Sequence, residues 1–394
     1  MAKTKNKTVA KRKIPTKKRT NGLHLPSLTI EKFRGFKGLH LPELGRVTLL
    51  TGGNSVGKST VLEAAQLYAS AGDPNVIVDI LSNREDVFIG KDEDGSSTTF
   101  PDHGRLFFGY NEPEIGDEIK IGFTGTKNPL KIELSLFETE DLKEMTLPLL
   151  PMLLEEPIKC LAISSGTDVN KIPFFYSRGK RVTGHVTPMG RRTWRRSWRL
   201  YIENIEARQI PYERLGPGLP SNTRIASLYE AVELTSEEEL ILDVLRFIEP
   251  NIERVAPQGS QRHPRMMVRL KNVDYPIPLK SMGEGIVHLL GLAVALINAK
   301  NGLLLIDEVE NGIHHSLFSK LWEFIMHAAQ KNNVQVIAAT HSKDCFEGFA
   351  QVAKKLKDIE GRVIRIDRKE EETWAVLYSE EEAFIAAESD IEVR

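Results

Sequence analysis

The chain has 394 residues, of which 41% are hydrophobic and 27% charged, with a formal net charge of −1. That leaves room for one large domain or two lobes around a sizeable core, and two cysteines (Cys160 and Cys345) imply no disulfide framework and a reducing compartment. No apolar run is long enough to span a bilayer, and the basic start lacks the apolar stretch of a signal peptide, so the expectation is a cytoplasmic chain without a membrane segment.

The balanced charge hides an asymmetry. Residues 1–20 carry nine Lys or Arg and no acid, while the remainder has 44 basic and 54 acidic side chains, a net of −10. A tail of that kind, over residues 1–22, is expected to be disordered. It either touches phosphates or an acidic partner, or serves as a solubilising segment.

Leu28–Phe36 reads as a strand, and Gly45–Thr51 as a turn and a buried strand. Gly52-Gly53-Asn54-Ser55-Val56-Gly57-Lys58-Ser59 then fits the phosphate-loop pattern GxxxxGK[ST], and Ser59-Thr60 opens a helix running to Tyr68. Gly52 and Gly57 can take backbone angles closed to other residues, so amides can approach phosphates. Those amides and the positive end of the helix favour bound anion. Lys58 would reach the β- and γ-phosphates, and Ser59 would ligate Mg²⁺.

Further on, Asp92–Ser97 is a polar loop, and strand-like runs appear at Arg105–Phe108, Lys120–Phe123, Leu130–Phe137, Lys159–Ile163 and Phe174–Tyr176. Thr146–Leu154 is unusually apolar for a segment with two prolines and reads as a buried loop or a partner contact. Between Gly190 and Tyr201, Arg191, Arg195 and Arg199 recur at helical spacing, flanked by Arg192 and Arg196, with Trp194 and Trp198 alongside. On a helix this is a basic face beside an aromatic stripe. It suits phosphate backbones and stacked bases, or equally an internal contact in which Arg meets carboxylates and Trp enters the core. Gly216–Asn222 reads as a linker, with helices following through Ile248.

Ser281-Met282-Gly283-Glu284-Gly285 ends 22 residues before Asp307 and leads into an almost wholly apolar helix, Ile286–Ile297. Asn301-Gly302 closes it. Leu303–Ile306 reads as a buried parallel strand ending in Asp307 and Glu308. Asp307 would hold Mg²⁺ through water, and Glu308 is placed to polarise an attacking water. Val334–Ala339 is a further strand, ending in Thr340-His341-Ser342. The last 53 residues read as a helix near Phe349–Leu356, strands at Arg362–Ile366 and Thr373–Leu377, and an acidic stretch with Glu380, Glu381 and Glu382. There are no internal repeats, and the 222 residues between Lys58 and Ser281 hold no sustained heptads. Together the cradle and the acidic strand end point to a chain that binds and hydrolyses ATP with Mg²⁺.

Ser281–Gly285 resembles the signature motif of ABC-type ATPases, in the S-x-G-E-G form. The resemblance implies that Ser281, Gly283 and Glu284 open a helix whose N-terminus meets the γ-phosphate bound by an opposite subunit. ATP would then lie between two heads arranged head to tail. Glu310–His315 stands where that family has its D-loop, and His341 where it has its switch histidine. Leu28–Phe36 resembles the opening strand of SMC, RecF and OLD-type heads, with Lys32 in place of the usual Asn. There Arg34 or Phe36 either contacts nucleotide or only shapes the strand end. The chain departs from the pattern in lacking a Q-loop glutamine between Thr60 and Asn111 other than Gln66.

The fold implied is α/β, a P-loop NTPase with an ABC-type head: a mixed sheet core, an antiparallel β lobe and an inserted helical lobe. Its expected parts are a basic tail (1–22), the N-terminal part of the head (23–190), the helical lobe (191–260) and the C-terminal part of the head (261–394). The resemblance is strongest to stand-alone ATPases near the OLD and RecF groups, many of which belong to anti-phage or toxin–antitoxin operons. It implies a homo-oligomer that senses or regulates a separate effector, a toxin or nuclease, because 53 residues after His341 are too few for the nuclease domain that OLD-type proteins append. Two other readings stay open. One is a DNA-maintenance ATPase of the RecF kind, binding nucleic acid through Arg191, Arg192, Arg195, Arg196, Arg199 and the tail. The other is an assembly scaffold with slow turnover.

Overall fold

The computed structural model describes residues 22–91, 97–110, 112–137, 159–174, 177–178, 181–182, 210–260 and 263–389. The basic tail, the apolar segment at 146–154 and the Arg/Trp segment at 190–201 lie outside the described residues.

The described chain opens with an antiparallel pair, β1 (Leu28–Phe33) and β2 (Phe36–Leu41), followed by β3 (Val47–Thr51). Every residue of β3 is buried, as a strand covered on both faces requires. The phosphate loop then leads into α1 (Lys58–Ala69). Next comes α2 (Pro74–Asn83), started by Asp73, whose side chain accepts the Asn75 N–H, and by Pro74 at the first helical position. A hairpin, β4 (Val87–Lys91) and β5 (Ser97–Pro101), precedes an antiparallel meander of β6 (Glu118–Gly122), β7 (Leu130–Leu136), β8 (Lys159–Ser165) and β9 (Asp168–Pro173). β10 (Ser177–Arg178) and β11 (Arg181–Val182) form a short pair.

From residue 210 the chain gives β12 (Tyr212–Leu215), α3 (Asn222–Glu230), α4 (Glu238–Leu245), and a hairpin of β13 (Ile252–Ser260) and β14 (His263–Leu270) edged by β15 (Ile277–Pro278). Then follow α5 (Glu284–Asn298), β16 (Leu303–Ile306), α6 (Phe318–Lys331), β17 (Gln335–Ala339), α7 (Lys343–Lys355), β18 (Gly361–Lys369), β19 (Glu372–Tyr378) and α8 (Glu380–Glu388). No helix among the described residues is long and apolar enough to cross a membrane.

Two six-stranded sheets organise these elements. The core sheet runs β12-β16-β17-β3-β18-β19, parallel except for the β18–β19 edge. The second, β2-β1-β6-β7-β8-β9, is antiparallel throughout. Alternation along the core strands sorts side chains to two faces. Leu50, Leu303, Leu305, Ile337, Ile364 and Ile366 pack with α1 and the antiparallel sheet. Val47, Leu49, Leu304, Ile306, Val336 and Val363 pack with α5, α6, α7 and the β13–β14 hairpin. The α/β head with a mixed core sheet and an antiparallel lobe is therefore the observed architecture.

Several segments differ from expectation. Arg105–Phe108 is not a strand: His103–Leu106 is a 3₁₀ turn, capped by Asp102 accepting the Gly104 N–H, and only Phe107 bridges to β1. β9 stops at Pro173, and Phe174 beyond it is buried. Tyr212–Leu215 and Ile252–Ser260, inside the span read as a helical lobe, are strands; α3 and α4 are the helices described there. β13 contains Pro257 and Gly259, which weaken a strand signal in the sequence but sit next to the turn of a hairpin here.

Candidate nucleotide site

Parallel α/β sheets bind ligands beyond the carboxyl ends of their strands, and here three such ends converge. β3 delivers the phosphate loop, β16 delivers Asp307-Glu308, and the adjacent β17 delivers Thr340-His341.

The loop itself turns from β3 into α1 with Gly53, Asn54 and Ser55 exposed and Val56 half-buried. Gly57 caps α1 with φ +106°, a left-handed angle, and a Cβ there would collide with the Phe36 ring. Phe36 is thus a buried floor beneath the loop. Lys58, the first residue of α1, is also buried. Its Nζ donates to the carbonyls of Gly52 (2.7 Å) and Gly53 (2.9 Å) and lies 3.2 Å from His341 Nδ1. Donation to Nδ1 places the imidazole proton on Nε2. Burial pushes the Lys58 ammonium down to about 8, against the opposing pull of Asp307, Glu310 and Glu308. Ser59 is half-buried and Thr60 buried on the same turn.

Asp307 is only 2% exposed, and its Oδ2 has no hydrogen-bond partner among the described residues. A buried carboxylate oxygen in that state asks for a cation. The hard oxygen donors at hand, Asp307 and Ser59 beside a phosphate loop, fit Mg²⁺, which takes one or two protein ligands together with substrate phosphates. Glu308 has a left-handed φ of +52°, and its carboxylate accepts from Asn311 Nδ2 at 3.1 Å. Two bonds tie this loop to the end of β17: Val309 N–H donates to the Ala339 carbonyl (3.1 Å), and His341 N–H donates to Glu310 Oε1 (2.7 Å).

Arg34 lies in the β1–β2 turn. It is buried, with Nε 3.0 Å from Glu63 and Nη1 2.7 Å from Asp86, so it stitches the β1–β2 turn to α1 and to the chain after α2. Arg34 and Phe36 are both buried at the β1–β2 turn, Arg34 in ion pairs and Phe36 beneath Gly57. Glu63 also receives Arg84 (2.7 Å), with Arg214 at 3.8 Å, and Arg214 bonds Gln66 (2.6 Å). Gln66 is therefore committed within the head, and Arg84, 40% exposed, stands at the end of α2.

Ser281 lies in a 3₁₀ turn, and Gly283 (φ +105°) starts α5 with no side-chain cap. Ser281, Gly283 and Glu284 are exposed. Behind them a Cβ on Gly285 would strike the Gly312 carbonyl, so the start of α5 rests directly on the loop after Glu308.

Glu310 and Asn311 fall in the segment that the sequence placed at the D-loop, whereas the Glu63 hub is the participant a linear reading missed. Glu63 leaves one trace, an acid in the Val61–Leu67 stretch of α1, where Gln66 is the only other polar residue. Its partners Arg34, Arg84 and Arg214 are scattered along the chain and leave none.

The chain is similar to several known proteins. The family described as "AAA domain, putative AbiEii toxin, Type IV TA system" matches residues 47–344. A Helicobacter pylori protein named ATP/GTP phosphatase is 22% identical over 343 residues, covering 84% of this chain and 89% of that one. An uncharacterized Methanocaldococcus jannaschii protein, MJECL11, is 37% identical over 87 residues, 22% of this chain and 75% of its own length. Among solved structures, an Smc head bound to the C-terminal winged-helix domain of ScpA overlays with a TM-score of 0.48 at 12% identity, covering 90% of this chain and 97% of that one. The SMC head domain from Thermotoga maritima gives 0.40 at 12% identity, covering 91% and 100%. With a family match over three quarters of its length and the phosphate loop, acidic strand end and switch strand converging as described, the chain belongs to this AAA-domain family and is an ATPase of the AAA/ABC type.

Proposed function

We propose that this chain hydrolyses ATP between two copies arranged head to tail, and that the cycle regulates a separate effector protein, a toxin or nuclease, in anti-phage defence. The observation that carries the catalytic part is the gathering of Lys58, Asp307, Glu308 and His341 at three neighbouring strand ends, with Asp307 Oδ2 buried and unpaired. The exposed start of α5 carries the dimer. It offers uncapped helix amides to an anion from outside the subunit, where a second copy would present its phosphates. The family's description, which names a toxin of a toxin–antitoxin system, supports the defence setting.

In this reading the loop amides from Gly53 to Lys58 and the Lys58 ammonium hold the β- and γ-phosphates, and binding an anion keeps Lys58 protonated. Ser59 and Asp307 would hold Mg²⁺, which when bound neutralises charge on the phosphates. Glu308, fixed by Asn311, accepts a proton from the attacking water. His341, anchored through Glu310 and proton-bearing at Nε2, donates to the γ-phosphate. Ser281, Gly283 and Glu284 of the opposite subunit close the other side.

The test is ATP hydrolysis by the wild type, Lys58→Ala and Glu308→Gln, together with mass in solution, with and without duplex DNA. Each substitution is expected to cost about 10²–10³ in turnover, and Glu308→Gln to accumulate a dimer on ATP. Normal turnover by Glu308→Gln would remove it as the base. Strong stimulation by DNA would move the function to DNA maintenance, and turnover that proves dispensable for biological function would favour a scaffold.

A further inference from the structure

Arg34 and Phe36 are both buried, and the structure holds a second, exposed pair beside the loop. Two close approaches frame the phosphate loop. Gly57 presses on Phe36 at the start of β2, and a Cβ on Gly52 would meet the Ile366 carbonyl of β18. One residue back along the chain from Phe36 is Gly35, and two residues on from Ile366 is Arg368. These converge. Arg368 Nη1 lies 3.2 Å, and the Tyr110 hydroxyl 3.9 Å, from the point where a Cβ of Gly35 would stand.

Three separate segments thus meet at one open spot next to the loop. The segment 106–110, which ends in Tyr110, is bonded to the β1–β2 turn by Arg34 N–H to the Leu106 carbonyl (2.8 Å) and Gly109 N–H to the Arg34 carbonyl (2.9 Å). Tyr110 itself has φ +58°, an uncommon angle for an aromatic residue, and is 47% exposed. Strain of this kind persists only where the surroundings over-determine it. Arg368 is exposed, with its Nε donating to the Glu370 carbonyl at 3.0 Å and its planar head otherwise open. Gly35 contributes no side chain between them.

We propose that Tyr110 and Arg368 form the platform for the purine base of the bound nucleotide. The inference rests on the phosphate-loop reading, because that loop fixes where the base must reach. A phenol ring and a guanidinium plane both stack on a base face. Stacking reads the π-face and not the edge of the base, so the platform accepts adenine and guanine alike. The chain accordingly takes ATP and GTP without discriminating between them.

The experiment is calorimetric binding of ATP, GTP and inorganic tripolyphosphate to the full chain, wild type against Tyr110→Ala, Tyr110→Phe and Arg368→Ala. Tripolyphosphate has no base, so it reports the phosphate loop alone. Tyr110→Ala is expected to weaken ATP and GTP together by about tenfold and to leave tripolyphosphate unmoved. Arg368→Ala acts in the same direction, and Tyr110→Phe binds as the wild type does. ATP affinity unchanged in both alanine variants would overturn the proposal, as would a wild type that takes ATP and rejects GTP. A Tyr110→Ala chain that loses tripolyphosphate as well overturns it too, because the ring then supports the loop and not the base. If the wild type binds tripolyphosphate and ATP no better, only the platform fails. If it binds neither, the phosphate-loop reading fails and the platform with it.

Discussion

His288 and His103 are imidazoles folded away from water, and burial holds both below the ordinary value of 6.5, His288 to about 4 and His103 to about 3. A group depressed in the folded state stays neutral there while the unfolded chain takes up a proton. Stability is therefore complete above 6.5 and falls as pH drops through the window down to about 4 for His288 and about 3 for His103. For His288 the difference corresponds to roughly 3 kcal/mol. The thermal midpoint should decline steadily between pH 6.5 and 4, and His288→Gln, which carries no titrating ring, should decline less steeply. Parallel pH profiles for the two chains would remove His288 from the account. At this scale the sequence was most legible where chemistry is local. Gly52–Ser59 and Asp307-Glu308 announce themselves by spacing alone, because loop and strand end are continuous in the chain. Glu63 was not legible, since its significance lies in arginines brought from β1, the end of α2 and β12 by folding. Arg34 was ambiguous for the same reason: a motif gives the residue and not the direction its side chain takes.

Elements carry the coupling between the two halves of the site. Helix α5 begins with Gly283 and, two residues on, Gly285 lies so close to the Gly312 carbonyl that no side chain fits between them. The same segment downstream of Glu308 is bonded to β17 through Val309 and to His341 through Glu310. A displacement at the start of α5 is thus passed to the Glu308 loop and to the end of β17 without touching the phosphate loop. Gly285→Ala forces such a displacement. Hydrolysis should fall by about 10²-fold, the scale of effect seen when catalytic groups are misplaced by an ångström, while the affinity for ATP stays near that of the wild type. Full turnover in that variant would show that the contact is slack. The apolar run Ile286–Ile297 and the buried β3, β16 and β17 were readable because long runs and short buried runs separate helix from strand. The β13–β14 hairpin and the turn at His103–Leu106 were not. Their conformation is set by a partner strand in one case and by a single Asp102 cap in the other.

At the scale of the whole molecule, the chain displays one phosphate loop and one exposed α5 start, so the head-to-tail pair proposed above would contain two composite sites. Each site then takes its Lys58 from one copy and its Ser281 from the other, which makes the arrangement testable by mixing two dead chains. Lys58→Ala removes the loop lysine and keeps the signature, whereas Ser281→Arg keeps the loop and obstructs the signature. Each is expected to be inactive alone, and Ser281→Arg should still bind ATP, since its own loop is intact. In a mixed pair one site inherits both defects and the other inherits neither. If copies assort at random, about half of the pairs are mixed and each has one sound site, so an equimolar mixture should recover about a quarter of wild-type turnover. Recovery depends on exchange, so it should grow with incubation and saturate. A mixture that stays as inactive as its parts, with exchange shown by mass, would mean that each copy completes its own site. The exposed Ser281, Gly283 and Glu284 would then need a different partner, and the separate effector would be the first candidate.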